Sequence, residues 1–220
     1  MDRAEWIKLK RGESEQRMDE LWSPIYDDRW GATIEPSHRA MLAKFIVLCP
    51  PGATVLDAAC GTGKYWSALL EAGLKVHGID QSAGMLQRAQ RKHPQVTIEK
   101  LGLQEMAFAT AFQAALCMDA MENVFPEDWP GVLANFRRAL TPGAPLYLTV
   151  ELPEPGQVEA DFDQARRLGL PVVRGECAWE PGYHYYPEAG QVDAWLTAAG
   201  FRLLDEATGD SYRHLLVDRE

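Results

Sequence analysis

Two closely spaced glycines that follow an apolar stretch are the strongest sign of chemistry in this sequence. The stretch begins at Val55 and reaches Gly61 and Gly63, and an amphipathic segment begins at Tyr65. Glycine has no Cβ atom, so it permits a sharp turn and a close approach of ligand to backbone. In open α/β sheets, ligands bind beyond the carboxyl ends of the strands, where the strand order reverses. The pattern predicts a binding loop between a first strand and its helix.

A carboxylate at the end of the next apolar stretch supports this prediction. Asp80 follows the loop by about 20 residues, where a ribose-binding carboxylate belongs in nucleotide-binding sheets. A dinucleotide site would also need a third glycine, three residues after the second, to seat a pyrophosphate. Trp66 occupies that position. The indole argues for a ligand without phosphates, so a nicotinamide-dependent oxidoreductase is the least favoured function.

The elements that must position these residues follow from the hydrophobic pattern. Short apolar runs alternate with amphipathic segments between residues 54 and 151, which is typical of βαβ units and a mainly parallel sheet. We predict strands over 54–59, 75–80, 96–101, 113–118, 145–151, 201–206 and 213–217, and helices over 65–72, 82–92, 129–140 and 188–199. Residues 1–45 are expected to be helical, and residues 152–187 to be the least regular part.

Composition limits the classes of partner. The 220 residues, 46% of them hydrophobic, suit a single domain over 1–220 with a sizeable core. The net charge of −10 disfavours a nucleic-acid partner, because such binding depends on basic residues that neutralise phosphates. The charged segment 1–18 resembles neither a signal peptide nor a membrane anchor, so we expect a cytoplasmic protein with no membrane partner. The sequence leaves monomer or homodimer open.

Five short motifs, in order, resemble those of class I S-adenosylmethionine (SAM)-dependent methyltransferases. DAACGTG at 57–63 resembles the family's first motif, and DQSAGML at 80–86 resembles its acidic motif. LQEMAF at 103–108, AMENV at 120–124 and LTPG at 140–143 resemble the adenine-side loop and the segments around the fourth and fifth strands. The resemblance covers residues 50–151. It implies a Rossmann-like α/β three-layer sandwich whose seven-stranded mixed sheet has the order 3-2-1-4-5-7-6, with the last strand antiparallel.

The same resemblance implies SAM as the methyl donor, S-adenosylhomocysteine as its product, and a set of cofactor-binding residues. Ala59 stands where the family often has glycine, and Gly102 where it often has an aspartate for the adenine amine. The implied residues are Asp57, Ala59, Gly61 and Gly63 near the methionine end, Asp80 at the ribose, Gln81, Met85, Leu103 and Gln104 around adenine, Met118 and Asp119 at the methionine carboxylate and amine, and Tyr26 and Trp30 in an N-terminal lid formed by residues 1–45.

The acceptor is expected under the segment 152–187, which the family often uses to cover its substrate. Its aromatic side chains would suit a planar or cationic acceptor, and Glu176 or Glu180 would favour an amine. Packing onto the sheet is the alternative for each of these rings. The predicted substrate-binding residues are Trp179, Tyr183, Tyr185 and Tyr186.

His184 is the candidate general base and His38 the reserve, because the histidine pKa lies near neutral pH. A structural histidine is the alternative for both. Asp119, Glu122 and Asn123 come from one short segment with no facing cluster, so no metal is expected.

The leading functional hypothesis is methyl transfer to an oxygen or nitrogen of a small, aromatic or amine-bearing molecule. An enzyme of the same fold that binds SAM but catalyses another step, such as a cyclisation, is the first alternative. A non-catalytic SAM-binding protein is the second.

Overall fold

The computed structural model describes residues 1–31, 33–178 and 182–220. The predicted alternation of strands and helices is present from β1 to β5. In chain order the strands are β1 Thr54–Ala58, β2 Lys75–Asp80, β3 Thr97–Lys100, β4 Ala114–Cys117, β5 Pro145–Glu151, β6 Glu176–Ala178, β7 Tyr183–Tyr185, β8 Phe201–Gly209 and β9 Tyr212–Arg219. The α-helices are α1 Arg3–Arg17, α2 Pro36–Leu48, α3 Trp66–Glu71, α4 Ala83–Lys92, α5 Trp129–Ala139, α6 Gln157–Arg167 and α7 Ala189–Ala198.

One mixed sheet organises the molecule. Its strand order is β3-β2-β1-β4-β5-β9-β8, and β6 and β7 form a separate two-stranded hairpin. Without these hairpin strands, the order corresponds to the predicted 3-2-1-4-5-7-6. Strands β1 to β5 are parallel, and β9 runs antiparallel to both β5 and β8. The predicted α/β fold class is therefore confirmed.

Helices cover both faces of this sheet, which is why its central strands are apolar on both sides. Every residue of β4 is buried. Phe45 of α2, Trp66 of α3 and Ala89 of α4 belong to the core on one face. On the other face the core includes Phe136 of α5 and Leu196 of α7, together with Trp6 of α1. Between these two layers, the carboxyl ends of the parallel strands form one edge.

The segments outside the central sheet differ from the expectation in detail. Between α1 and α2 the chain forms two π-helical turns, Met18–Trp22 and Asp27–Gly31. Residues 152–187 contain α6 and the β6–β7 hairpin. Sequence analysis missed α6 because Pro153 and Pro155 precede it and few of its residues are apolar; only Ala165 is buried. No helix within the described ranges is long and apolar enough to cross a lipid bilayer.

Gly78, in the middle of β2, is where an added methyl group is expected to be most damaging to this core. A Cβ atom there would lie 2.4 Å from Cζ2 of Trp66, which is fully buried. Gly78→Ala should lower the free energy of unfolding by about 3 kcal/mol, at the upper end of overpacking effects. Urea unfolding measures it. Gly131→Ala in α5 is the control, since a Cβ there meets nothing within 4 Å, and it should stabilise by about 0.5–1 kcal/mol. Equal effects of both changes would contradict the packing argument.

Candidate functional site

The glycine loop after β1 is held by a carboxylate from the neighbouring strand. The backbone N–H of Gly61 donates to Asp80 Oδ2 and that of Ser82 donates to Asp80 Oδ1, both over 2.8 Å. Asp80 thus joins the β1–α3 loop to the turn before α4. Gly61 has a φ of 53°, and a Cβ atom on it would meet nothing within 4 Å. The backbone of Gly61 is therefore exposed to open space at this edge of the sheet.

That open space is a cleft formed by two adjoining cavities, which share Tyr26, Ala59, Gly61 and Asp119 as walls. The larger cavity encloses about 730 Å³ including its mouth. Eleven of the residues predicted to bind the cofactor line one or both cavities: Tyr26, Asp57, Ala59, Gly61, Asp80, Gln81, Met85, Leu103, Gln104, Met118 and Asp119. One end is polar, around Asp57 and Asp119, and the other combines Met85 and Leu103 with the amide of Gln104.

Two predicted cofactor residues lie outside these walls. Gly63 is next to the indole of Trp66, and a Cβ atom on it would approach that ring to 2.7 Å. The φ of 74° at Gly63 also favours glycine, so its role here is to shape the loop. The Trp30 ring contacts that of Tyr26, with the two ring centroids 5.3 Å apart, and Trp30 is 40% exposed.

Asp57 is the most deeply buried carboxylate of the cleft. Its exposed fraction is 1%, and its Oδ2 accepts a 2.7 Å hydrogen bond from Nε1 of Trp66. Burial raises the pKa of Asp57 to about 7, although the Trp66 hydrogen bond opposes the shift. The bulky Trp66, which replaces the third glycine of a dinucleotide site, therefore fills the core and also holds a carboxylate of the cleft.

Asp119 is fixed in the cleft by three side chains. Its Oδ1 lies 2.8 Å from Nε2 of His38, and its Oδ2 accepts from the Tyr65 hydroxyl at 3.0 Å. The Thr149 hydroxyl accepts from the backbone N–H of Asp119 at 2.7 Å and donates to its Oδ1 at 3.3 Å. Burial alone would raise the pKa of Asp119, but the hydrogen bond and charge of His38 outweigh burial and lower it. Asp119 thus presents a charged carboxylate to the cleft.

His38, the reserve general base, lies behind Asp119 and is 1% exposed. Burial alone would lower the pKa of His38, but hydrogen bonds to Asp119 and Asp210 raise it. Its place behind Asp119 supports a role in positioning that carboxylate. Catalysis by His38 stays a prediction, and the burial of the ring does not favour it.

One cluster with metal-ligand spacing occurs among the residues that the structure describes. The ligand atoms of His38, Asp210 and His214 lie within 4.8 Å of one another. Both ring nitrogens of His214 are engaged, Nδ1 with the Tyr147 hydroxyl at 2.8 Å and Nε2 with the Gly209 carbonyl at 3.0 Å. This donor set suits a hydrogen-bonded core better than a metal centre.

The N-terminal segment covers the cleft. Asp19 accepts from the Ser82 hydroxyl and from the backbone N–H of Gly84, at 2.5 and 3.0 Å. Asp27 accepts from the Thr62 hydroxyl at 2.6 Å and from Lys92 at 2.8 Å. Ser14 and Met18 also line the larger cavity, although neither was predicted from the sequence. Their i, i+4 spacing on one helix face was the available signal.

The predicted substrate residues of the β6–β7 hairpin lie apart from the cleft walls. The Tyr183 ring stacks on Phe125 at 4.1 Å, and its hydroxyl donates to Glu176 at 2.7 Å. The Tyr185 hydroxyl donates to Gln191 at 2.9 Å. These rings are buried in packing contacts, which is the alternative that the sequence left open. Tyr186 is also buried, and its hydroxyl lies 3.3 Å from Nδ1 of His184.

His184 and Glu151 approach each other at the end of β5, with Nδ1 2.6 Å from Oε2. Neither lines the two cavities described above. Glu176 is paired with Arg3 through two contacts of 2.7 and 2.8 Å, so it is engaged within the fold. Trp179, Glu180 and Pro181 lie outside the described residues.

Ala59 carries backbone strain in the binding loop. Its φ is 61°, in the left-handed region that costs a residue with a Cβ about 1–2 kcal/mol. Ala59→Gly should therefore raise the free energy of unfolding by about 0.5–1 kcal/mol, after the greater entropy of glycine in the unfolded chain is subtracted. Denaturant unfolding measures it. Ala58→Gly in β1, where φ is not positive, should destabilise, and a gain from both would contradict the strain argument.

Comparisons with known proteins agree with this geometry. The family model described as "Methyltransferase domain" matches residues 55–143. The demethylmenaquinone methyltransferase of Renibacterium salmoninarum is 26% identical over 176 residues, which cover 75% of this chain and 70% of that protein. A SAM-dependent Diels-Alderase of Talaromyces variabilis is 28% identical over 66% of this chain, but only 50% of that protein is covered.

Solved structures show the same fold. The magnesium protoporphyrin IX methyltransferase of Synechocystis PCC 6803, crystallised with bound S-adenosylhomocysteine, superposes with a TM-score of 0.70 at 17% identity. The match covers 96% of this chain and 100% of that one.

Proposed function

We propose that this chain, which belongs to the class I family of SAM-dependent methyltransferases, transfers the methyl group of SAM to an oxygen or nitrogen of a small molecule. One observation carries the proposal: Asp80 accepts hydrogen bonds from the backbone N–H groups of Gly61 and Ser82. These bonds hold its carboxylate beside an open glycine loop. The family uses SAM as its methyl donor. The residues named below are assigned to it as part of the proposal.

The cleft fits such a ligand. The gap over Gly61 admits a ligand close to the backbone, and the carboxylate of Asp80 offers acceptors to ribose hydroxyls. The charged Asp119 suits the ammonium group at the methionine end. Met85 and Leu103 supply apolar surface to a base, and Gln104 supplies polar groups for its edge.

SAM supplies a methyl group already activated by its sulfonium. The protein is left with alignment of the acceptor, exclusion of water and removal of a proton. The N-terminal segment excludes water, since Tyr26 forms part of the wall and Asp19 and Asp27 hold the segment against the sheet edge. His38 and Tyr65 fix the orientation of Asp119. The aromatic rings of the hairpin are engaged in packing contacts. We therefore expect the acceptor to bind at the polar end of the cleft, near Asp119, and not against these rings.

Calorimetric titrations with S-adenosylhomocysteine and, separately, with NADH test which cofactor the protein binds. Micromolar binding of S-adenosylhomocysteine and none of NADH is expected. A well-folded protein that binds NADH and not S-adenosylhomocysteine would contradict the proposal and favour the oxidoreductase instead.

The likeness to a Diels-Alderase favours one second candidate, a SAM-binding enzyme that catalyses a cyclisation or another non-methylation step. Product analysis separates the two functions. Methyl transfer consumes SAM and releases S-adenosylhomocysteine in equal amounts, whereas a cyclisation leaves SAM unchanged. A protein that binds SAM and turns over no acceptor would instead support the non-catalytic alternative.

A further inference from the structure

The less polar end of the cleft is formed by a loop between two parallel strands. β3 ends at Lys100 and β4 begins at Ala114, and all four residues 101–104 line the larger cavity. Gly102 has no side chain with which to contact a base, so discrimination there depends on the backbone and on the side chains beside it. A long irregular segment keeps one conformation only where other elements hold it. The contacts that fix this loop therefore decide what it presents to a ligand.

One side chain of α5, that of Asn135, holds two carbonyl groups of the loop. Its Nδ2 donates to the carbonyl oxygen of Leu103 at 2.9 Å and to that of Gln104 at 3.1 Å. Its Oδ1 accepts from the guanidinium of Arg138 at 2.8 Å. A guanidinium can only donate and a carbonyl can only accept, so the amide is satisfied in one orientation and not in the reverse.

Asn135 lies in the interior of α5, one residue before Phe136 of the core. Asparagine is a poor former of helix interiors, because its amide competes for nearby backbone groups. Here the amide is used by the loop and by Arg138 instead. The residue type at this position is thus explained by the loop and not by the needs of the helix.

The two bonds from Asn135 also fix the direction of a peptide group. In a planar trans peptide the C=O and N–H bonds point in opposite directions. Because the Leu103 carbonyl turns to Asn135, the N–H of Gln104, which belongs to the same peptide group, points away from it. Among the described residues this N–H has no hydrogen-bond partner, whereas the N–H of Glu105 donates to the Gly102 carbonyl at 3.3 Å. Gln104 therefore offers a backbone donor at a wall of the cleft.

We propose that Asn135 is a positioning residue for base recognition, which turns the N–H of Gln104 towards the cleft so that it donates to an unprotonated ring nitrogen of the base. This inference rests on the proposed use of SAM and deepens it, by naming what selects the base. Adenine has such a nitrogen at N1, whereas hypoxanthine has an N–H there. Two donors that face each other leave both unpaired, and sites built on a hydrogen bond discriminate strongly against such analogues.

Separate calorimetric titrations with S-adenosylhomocysteine and S-inosylhomocysteine test the role of Asn135. These ligands differ only at the Watson–Crick edge of the base. The wild type should bind the adenosyl ligand at least tenfold more tightly. Asn135→Leu, which keeps the volume and loses the donor, should reduce that preference to threefold or less, mainly by weakening the adenosyl ligand. Gln164→Leu, which removes an exposed amide from α6, is the matched control and should leave both affinities within twofold.

A second variant and a spectroscopic readout accompany this test. Arg138→Met changes an exposed residue and removes the bond that orients the Asn135 amide, so its preference should lie between those of the wild type and Asn135→Leu. In nitrogen-15 spectra, the Gln104 N–H proton should move downfield when the wild type binds S-adenosylhomocysteine, and should move less in Asn135→Leu. Thermal unfolding shows whether each variant is folded.

Several outcomes would overturn the inference while S-adenosylhomocysteine still binds. They are equal binding of the two ligands by the wild type, a Gln104 N–H that does not respond to the ligand, and an equal loss of affinity for both ligands in a folded Asn135→Leu protein. The last result is what a merely structural contact would give. Should Asn135→Leu not fold, an unchanged preference in Arg138→Met overturns the inference. Failure of the wild type to bind S-adenosylhomocysteine would instead overturn the proposed function itself.

Discussion

Asp80→Asn is expected to weaken the binding of S-adenosylhomocysteine by about a hundredfold or more. The carboxylate accepts from the N–H groups of Gly61 and Ser82, and an asparagine amide would turn a donor towards one of them. Hydrogen bonds to a charged group contribute about 1.5–3 kcal/mol each, and about 1.4 kcal/mol corresponds to a factor of ten. The change therefore displaces the loop and also removes the expected ribose acceptor. Calorimetric titration measures the affinity.

The control for Asp80→Asn is the same substitution, aspartate to asparagine, at an exposed site. Asp163→Asn lies on the exposed face of α6 and should leave the affinity unchanged. Thermal unfolding of both variants shows whether each is folded. Affinity within threefold of the wild type in a folded Asp80→Asn protein would mean that the ribose is held by other residues.

Asp57→Asn is expected to stabilise the ligand-free protein above neutral pH, although Asp57 is a cleft residue. The pKa of Asp57 is raised from 3.8 to about 7 in the folded protein. The contribution of the protonated Asp57 side chain to the free energy of unfolding is thus fully present below pH 3.8. It is lost as the pH rises to about 7. The corresponding free energy is about 2–4 kcal/mol. An asparagine stays neutral throughout and still accepts from Nε1 of Trp66.

The measurement is the free energy of unfolding in urea at a series of pH values. The advantage of Asp57→Asn over the wild type should grow from pH 4 to pH 7 and then stay constant. Asp163→Asn should show no such growth. A difference that does not vary with pH would mean that Asp57 titrates normally in the fold. A stabilising Asp57→Asn would indicate that the carboxylate is retained for ligand binding at the expense of stability.

The sequence predicted the sheet, and it predicted residues that the structure brings together at the cleft, because local patterns determine both. The βαβ alternation fixes which strands are parallel, and the carboxyl ends of those strands bring Gly61, Asp80 and Asp119 to one edge. Contacts between distant segments were not predictable in this way. The bond of His38 to Asp119 joins residues 81 positions apart. The hairpin tyrosines were assigned to an acceptor from their type alone, whereas packing against Phe125 and Glu176 depends on the tertiary fold.

The burial of Glu122 shows the same limit. Glu122 was visible in the sequence only as a possible metal ligand, because the burial of its side chain and the unpaired state of its Oε2 among the described residues cannot be inferred from one short motif. The charge of Glu151, which helps raise the pKa of Glu122, comes from β5, twenty-nine residues later along the chain.

The segment that covers the cleft is fastened largely by contacts near the surface, and this has a consequence for the rates of ligand exchange. Asp27 bonds to Lys92, and Glu15 to Lys100. If the segment must open at these contacts before a ligand enters beneath Tyr26, association should be slower than free diffusion and should saturate at high ligand concentration. Added salt screens exposed ion pairs. Ionic strength should therefore accelerate both entry and departure while changing the equilibrium affinity much less.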